Sequence, residues 1–170
     1  IEPRKNYSTL LKAYKLYKEN CIGKYKKLCI AGGYGWMEEN FKQNIEKLGL
    51  MEDVVVTGYV SDETLANLYR HCYAFIYPTW YEGFGLPVLE AMNFEKPVIA
   101  SNVTSIPEIV GDAATLCRPE DSAEIAKYMD YLGNAEFYNE IVEKEKKRIE
   151  LFSWEKSAKE LVEFYSKLVK

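Results

Sequence analysis

The sequence predicts an α/β fold, a Rossmann-like doubly wound domain in which a parallel sheet carries helices on both faces. Short apolar runs alternate with segments of helical periodicity along the chain. The runs are continuously apolar rather than alternating, which is typical of parallel strands covered on both faces. The 170 residues are 48% hydrophobic, enough for one domain with a substantial core.

Five apolar runs are interpreted as strands because each is short and bounded by turn residues. They cover residues 27–31, 54–56, 74–77, 97–100 and 115–117. Glycines follow two of these runs, at Gly32 and Gly58, where the chain must turn.

The helices between the strands are identified by apolar residues at helical spacing and by capping residues. Asn6 or Ser8 is available to cap the first helix, and Gly49 ends the second. Ser105 to Glu108 has the S-x-x-E spacing of a capping box. The predicted helices are 8–19, 36–48, 61–71, 87–93, a short one opened by 105–108, 121–132 and a tail helix after Ser153.

Two C-terminal features are assigned structural roles. The charged run 143–150 is interpreted as a solvated helix face with i,i+4 ion pairs. In the tail helix, Trp154 and Tyr165 are interpreted as packing residues rather than a platform for a sugar.

Composition excludes several classes of function. The net charge of −4 and pI near 5.3 offer no basic surface for nucleic acid, so no nucleic-acid partner is expected. No apolar stretch approaches the roughly 20 residues that cross a bilayer. Four scattered cysteines without metal-ligand spacing are expected to be buried, reduced thiols, which favours a cytoplasmic location. The opening residues, without Met or signal peptide, look like the middle of a loop, and we expect the chain to be a fragment.

The most informative segment is 81–91, which reads YEGFGLPVLEA, follows a predicted strand and opens a helix. Gly83 and Gly85 allow backbone N–H groups to approach a ligand, and Pro87 suits the first helical turn. A helix N-terminus at the carboxyl edge of a parallel sheet is an anion site, here for a phosphate or diphosphate.

Glu82 and Glu90 lie on either side of this predicted anion site. A carboxylate beside a diphosphate is repelled unless it accepts hydrogen bonds from hydroxyl groups, which sugars supply in pairs. The arrangement therefore predicts a sugar at each end of a diphosphate.

These residues resemble the signature of family 4 (group 1) retaining glycosyltransferases. The resemblance rests on Glu82-x7-Glu90 within EGFGLPVLEAM and extends over nearly the full chain. It includes PVIAS at 97–101, IPEIVGD at 106–112, RKN at 4–6, GYVSD at 58–62 and FSW at 152–154. It implies that residues 1–170 are a single nucleotide-sugar-binding domain, the C-terminal half of the GT-B fold, whose acceptor-binding N-terminal domain lies outside this chain.

The resemblance also implies the roles of individual residues. Glu82 would contact the transferred sugar as the catalytic carboxylate, Glu90 would hold the ribose, and Lys5 would neutralise the diphosphate. The remaining donor-binding residues would be Tyr59 and Val60 at the base and Gly83, Phe84, Gly85 and Leu86 at the diphosphate and sugar.

The implied reaction is transfer of a hexosyl group, mannosyl or glucosyl, from a nucleoside-diphosphate sugar to an acceptor with retained configuration. GDP-mannose is the first expected donor and UDP-glucose the second. The acceptor would be a saccharide or lipid-linked saccharide, and the protein would be cytoplasmic or peripheral at the inner membrane surface through the N-terminal domain. No Asp-x-Asp motif occurs, and no metal or other cofactor is expected.

Two departures from the family pattern are visible. The family usually has Gly at the position of Glu95, so the turn there is expected to differ, with Glu95 facing solvent. A second diphosphate-binding Arg of the family belongs to a Gly-Arg pair that ends a strand upstream of Ile1.

Alternatives remain for several features. The run Gly33-x-Gly35-x-x-Glu38 has only part of a dinucleotide fingerprint, and a tight turn beside the donor cleft is favoured. His71, the one histidine, is expected to interact favourably with a helix C-terminus. A nucleotide-sugar epimerase-like enzyme and a non-catalytic nucleotide-sugar-binding module stay open, whereas a phosphate-type loop between the carboxylates disfavours a glycosidase.

Overall fold

A computed structural model of the chain describes residues 2–21, 23–33 and 38–168. Its strands fall within the five predicted runs or differ from them by one residue. They are β1 (Leu28–Ile30), β2 (Val54–Val56), β3 (Phe75–Tyr77), β4 (Val98–Ser101) and β5 (Thr115–Cys117). The helices are α1 (Tyr7–Asn20), α2 (Glu38–Lys47), α3 (Asp62–His71), α4 (Leu86–Asn93), α5 (Ile106–Val110), α6 (Ser122–Tyr131), α7 (Ala135–Ile149) and α8 (Trp154–Leu168), preceded by a 3-10 turn at Pro3–Lys5.

All strand pairs are parallel, as predicted, but they form two sheets rather than one. β1 pairs with β2, and β3, β4 and β5 form a second sheet in that order. A cavity of about 910 Å³ lies between the sheets and is lined by residues 26–31 and 72–78, with side chains of α1, α3 and α6 also contributing. The Rossmann-like α/β class is therefore confirmed, with an opening between β1 and β3.

The backbone of both strands that border the cavity has groups directed into it. Leu28 N–H donates to Asp53, and Ile30 C=O accepts from Thr57, so both residues face β2. Phe75 N–H likewise donates to Pro97 on the β4 side. Because successive residues of a strand direct their N–H and C=O to opposite sides, the backbone of Cys29 and of Ile76 faces the cavity.

Three apolar clusters hold the elements together. One joins α4 and α5 to β3 and β4, a second joins α1, α6 and β5, and a third packs α1 and α2 against β1 and β2. The cysteines are free thiols, but only Cys117 is buried, whereas Cys29 is exposed at the cavity. The expectation of four buried thiols is thus wrong for the other three.

Most of the predicted caps are found. Ser61 accepts a hydrogen bond from Thr64 N at 3.3 Å, and Asp121 accepts one from Glu124 N at 2.9 Å. Lys156 N donates to Ser153 at 3.3 Å. Gly49 follows α2 with φ +70°, the left-handed conformation that ends many helices.

The prediction that 143–150 is simply a solvated face is wrong for two residues. Lys144 and Lys146 do form exposed ion pairs, with Glu140 and Glu143. Glu145, however, is fully buried, and its Oε1 accepts a hydrogen bond from Val98 N at 2.8 Å. Arg148 turns inward and donates to the carbonyl groups of Glu108 and Ile109.

The buried Glu145 gives a pH-dependent contribution to stability. Burial raises the pKa of this carboxyl to about 8, although the bond from Val98 N acts in the opposite direction. Because the folded state binds the proton more tightly than the unfolded state, stability is lost as pH rises toward 8. We expect Glu145→Gln to remove roughly 2 kcal/mol of the decline between pH 6 and pH 8. Urea unfolding of both proteins at the two pH values measures this, and equal declines would contradict it.

The tail helix α8 differs from its predicted role. Trp154 is 81% exposed and Tyr165 is 57% exposed, and the helix buries no side chain against the described part of the chain. The prediction that these two aromatics pack is therefore wrong for this structure. No helix within the described ranges is both long and apolar enough to span a membrane.

Candidate donor site

Most of the predicted site residues lie on loops that follow strands, whereas Leu86 and Glu90 lie within α4 and Lys5 precedes α1. Gly58, with φ +72°, turns the chain after β2 and precedes Tyr59, which is 88% exposed, and Val60, which is half-buried. Lys5 lies in the 3-10 turn before α1, and Glu82 lies in the loop between β3 and α4. The structure joins Lys5 directly to Glu82, whereas Glu90 borders the same cavity as Lys5 from α4.

The loop from Pro78 to Gly85 is held by polar contacts with two other segments. Trp80 N and Thr79 Oγ1 both donate to Arg4 C=O, at 2.8 and 2.9 Å. Asn6, buried at the start of α1, donates to the carbonyl groups of Pro78 and Pro119. The 3-10 turn and this loop are therefore fixed to each other.

The second support of the loop comes from the segment before α5. Glu82 N donates to Thr104 Oγ1 at 3.1 Å. Ser105 Oγ donates to the carbonyl groups of Glu82 and Phe84, at 3.1 and 3.0 Å. The capping box predicted at Ser105 is consequently wrong, because its hydroxyl binds the Glu82 loop and makes no cap bond to α5.

The N-terminus of α4 has the geometry of an anion site. Gly85 is its N-cap residue, with φ +101° and no side chain to cap the free N–H groups. Pro87 occupies the first turn, as predicted. Phe84 and Leu86, on either side of the buried Gly85, are each about half exposed, so exposed apolar side chains border this N-terminus.

The two glycines of the loop differ in how much space is available for a side chain. A Cβ at Gly85 would lie 2.6 Å from Ile106 Cδ1, whereas one at Gly83 would meet nothing within 4 Å. We expect Gly85→Ala to lower the free energy of unfolding by about 1 to 2 kcal/mol, because alanine also resists the left-handed backbone. Gly83→Ala, the matched control, should change it by less than about 0.5 kcal/mol. Equal urea midpoints for the two variants would contradict this reading of the loop.

Glu82 is a nearly buried carboxylate whose two oxygens differ. Oε1 accepts hydrogen bonds from Arg4 at 2.7 Å, Lys5 at 2.8 Å and Tyr77 at 2.7 Å, and Thr79 Oγ1, whose proton is donated to Arg4 C=O, lies 3.1 Å away. Oε2 accepts no hydrogen bond from the residues that the structure describes. It is also not one of the buried side-chain atoms of those residues that lack a hydrogen-bond partner. One oxygen is therefore anchored, and the other is available to a ligand hydroxyl.

The electrostatics of this cluster keep Glu82 ionised. Burial acts to raise the pKa of Glu82, but hydrogen bonds from Lys5 and Tyr77 and the charges of Lys5 and Arg4 lower it below its ordinary value. Tyr77 is buried at the end of β3, and burial together with its bond to Glu82 raises its pKa, so its hydroxyl stays protonated.

Glu90 is exposed on α4 and is oriented by a buried tyrosine. Tyr69 OH donates to Glu90 Oε2 at 2.9 Å, and its ring stacks on Phe94 with centroids 5.7 Å apart. Burial is the main cause of the raised pKa of Tyr69, and the nearby charge of Glu90 adds to it. The carboxylate is thus held in one direction and still open to solvent.

Other sequence predictions have mixed outcomes. Glu95 faces solvent, as predicted, and pairs with Lys146 at 3.2 Å; its φ of +57° is the left-handed conformation that glycine adopts most readily. His71 is exposed at the C-terminus of α3, consistent with a structural role. The central residues of the possible dinucleotide fingerprint, 34–37, lie outside the described residues.

Sequence reasoning did not identify several residues that build the site. Arg4, Tyr77 and Thr79 contact the Glu82 carboxylate, and Thr104 and Ser105 hold its backbone. Arg4 adjoins Lys5, and Tyr77 ends the strand before the loop. Their positions along the chain were therefore only a weak indication that they belong to the site. Nothing in the local pattern marked Thr104 as a site residue, and the pattern at Ser105 predicted a helix cap instead.

Two curated mannosyltransferases are similar in sequence to this chain. The chain is 38% identical over 170 residues to the O-antigen chain mannosyltransferase B of Escherichia coli, covering 99% of this chain and 44% of the relative. It is 32% identical over 130 residues to the MMP alpha-(1->4)-mannosyltransferase of Mycolicibacterium hassiacum, covering 74% of this chain and 32% of that enzyme. The chain therefore spans less than half the length of these curated relatives.

Solved structures share the fold. Sucrose-phosphate synthase from Thermosynechococcus elongatus superposes with a TM-score of 0.85 at 25% identity, over 99% of this chain and 43% of that one. Anabaena HepE, solved in complex with UDP-glucose, has a TM-score of 0.85 at 22% identity, over 98% of this chain and 46% of that one. The family model for glycosyl transferases of group 1 matches residues 1–149. By this match over most of its length, the chain belongs to the group 1 glycosyltransferases.

Proposed function

We propose that this chain is the donor-binding half of a glycosyltransferase and binds a nucleoside-diphosphate sugar at the N-terminus of α4. The observation that carries the proposal is the uncapped N-terminus of α4 at Gly85, which lies along the chain between Glu82, bonded to Lys5, and Glu90. Helix N-termini attract phosphate groups, and carboxylates beside a phosphate need hydroxyl partners. A nucleoside-diphosphate sugar supplies both.

Each part of the donor has a matching group in the proposed complex. The amides of Gly83 to Leu86 and the ammonium of Lys5 bind the diphosphate, and Glu90, oriented by Tyr69, accepts from the ribose hydroxyls. The available Oε2 of Glu82 accepts from a hydroxyl of the transferred sugar. Tyr59 and Val60 form the surface for the base.

The proposed reaction is hexosyl transfer with retained configuration. The leaving diphosphate gains negative charge and the sugar gains positive charge in the transition state. Lys5 and the α4 amides stabilise the first, and the Glu82 carboxylate stabilises the second. We propose that these groups supply the positive charge at the diphosphate and that no divalent metal takes part, as the family resemblance implies.

The sugar is proposed to be mannose, carried by GDP, with UDP-glucose as the second candidate. The relatives named above are mannosyltransferases, one of them of an O-antigen chain. The acceptor is accordingly a saccharide or a lipid-linked saccharide of polysaccharide synthesis. We place the intact enzyme in the cytoplasm, with a peripheral attachment to the inner membrane surface through its N-terminal domain.

The cavity between the sheets supports the proposal that more chain completes this domain. It has an open strand edge on each side, and the classic doubly wound order has a strand at this position. A strand preceding Ile1 would pair with Cys29 and Ile76 and end beside Lys5. We therefore propose that residues 1–170 form a single donor domain that lacks one strand and the acceptor domain.

Hydrogen exchange tests the strand proposal. The amides of Cys29 and Ile76 should exchange rapidly in this chain and slowly in a longer one that includes the upstream strand. The amides of Leu28 and Phe75, already bonded within the sheets, serve as internal controls and should be slow in both. Equal exchange rates of the Cys29 and Ile76 amides in the two proteins would contradict the proposed upstream strand.

The transfer proposal is tested with GDP-mannose and UDP-glucose, each carrying a labelled sugar, and a lipid-linked saccharide acceptor. The intact enzyme should form a labelled product whose anomeric configuration, read by NMR, matches that of the donor. The 170-residue chain should bind the donor and form no product. Product from this chain alone would contradict the division into halves, and inverted configuration would contradict the mechanism.

A further inference from the structure

Glu82 Oε1 lies close to more polar groups than its lone pairs can bind with good geometry. A carboxylate oxygen offers about two lone pairs, yet Arg4, Lys5, Tyr77 and Thr79 all lie within 3.1 Å of it. Arg4 and Lys5 also bring two positive charges to one negative charge. One cation can therefore leave the cluster without leaving the carboxylate unpaired.

Lys5 is the cation that a diphosphate would draw away. Its Nζ contacts Tyr77 OH and Glu82 Oε1, so the ammonium already lies beside the carboxylate proposed to face the transferred sugar. In the complex proposed above, the diphosphate competes with Glu82 for this ammonium. A nearly buried Glu82 would then depend on its other partners to remain charged.

Arg4 is held in place independently of Lys5. Its backbone carbonyl accepts from Trp80 N and Thr79 Oγ1, and its Nε donates to Glu2 Oε2 at 2.6 Å while Nη1 reaches Glu82. A guanidinium presents several donors in a fixed plane and keeps its charge at any pH the protein meets. It can bind Glu82 throughout a change at Lys5.

We propose that Arg4 is a positioning residue that keeps Glu82 ionised and oriented when Lys5 turns from Glu82 to the diphosphate of the donor. This inference rests on the proposed function. The two adjacent cations then have different roles. Lys5 moves between Glu82 and the ligand, and Arg4 stays bound to Glu82. The charged and titratable groups that contact the Glu82 side chain are Arg4, Lys5 and Tyr77, and the neutral hydroxyl of Thr79 lies 3.1 Å from Oε1.

The test follows the titration of the Glu82 carboxyl by carbon-13 NMR, with and without saturating UDP or GDP. Unsubstituted protein should titrate at low pH in both states. Arg4→Gln should titrate at low pH without ligand, because Lys5 remains on Glu82, and roughly 1 to 3 pH units higher with ligand. With ligand, the Glu82 carboxyl of Arg4→Lys should titrate close to that of the unsubstituted protein. Glu2→Gln, which leaves the Arg4–Glu82 pair intact, should match the unsubstituted protein.

The outcomes separate the two proposals. A ligand-independent midpoint in Arg4→Gln would overturn the role of Arg4 while leaving donor binding intact, and so would a midpoint already raised without ligand. If the unsubstituted protein bound neither UDP nor GDP, the proposed function itself would fail. Because Arg4→Lys retains the charge, it provides a second measurement if Arg4→Gln folds poorly.

Discussion

Replacing Glu82 by alanine in the intact enzyme is expected to lower turnover about a hundredfold or more, with a smaller effect on donor binding. The reason is that a carboxylate beside a sugar gaining positive charge acts mainly on the transition state. Steady-state kinetics with varied donor measure both quantities. A loss confined to KM would contradict a catalytic role for Glu82.

The same substitution distinguishes Glu82 from Glu90 in binding to the 170-residue chain. Glu82→Ala should retain or strengthen affinity for a bare nucleoside diphosphate, because Lys5 is released from its ion pair, while the extra affinity from the sugar is reduced. Glu90→Ala should weaken sugar-bearing and sugar-free nucleotides alike, and Glu90→Gln should cost about tenfold in both. Calorimetry with both ligands checks this, and equal losses for both mutants would contradict the assignment.

Replacing Lys5 by alanine is expected to reduce affinity for both the bare diphosphate and the nucleotide sugar by roughly tenfold to a hundredfold. Charge-assisted hydrogen bonds contribute about 1.5 to 3 kcal/mol, which corresponds to that range. The loss should be similar for the two ligands because Lys5 is assigned to the part they share.

Lys12→Ala is the matched control for Lys5→Ala, since Lys12 is an exposed lysine on the neighbouring helix α1. It should leave both affinities unchanged. Similar titration curves for Lys5→Ala and Lys12→Ala would show that Lys5 does not meet the diphosphate.

The sequence predicts the elements of this fold well because the signals are local. Apolar runs mark the five strands, and capping at Ser61 and Asp121 depends on residues three apart. The opening between β1 and β3 could not be predicted from these signals, because it depends on which strands pair rather than on whether they form.

Site residues that belong to one segment were predicted from the sequence, whereas contacts between distant segments of the chain were not. Gly85 and the carboxylates of 81–91 belong to a single strand–loop–helix pattern. The contacts of Arg4 with Glu82 and of Ser105 with the same loop join residues 78 and 23 positions apart. Ser105 was assigned to a cap and Glu145 to a solvated face because local spacing does not reveal a long-range partner or burial.

Amide chemical shifts during titration with GDP-mannose test the central claim most directly, because NMR detects even weak binding to each residue. We expect the largest shifts at Gly83, Phe84, Gly85 and Leu86, with further shifts at Tyr59 and Val60. Lys5→Ala should reduce them, and Lys12→Ala should not. No shifts at these amides, or shifts confined to another surface, would contradict a donor site at the N-terminus of α4.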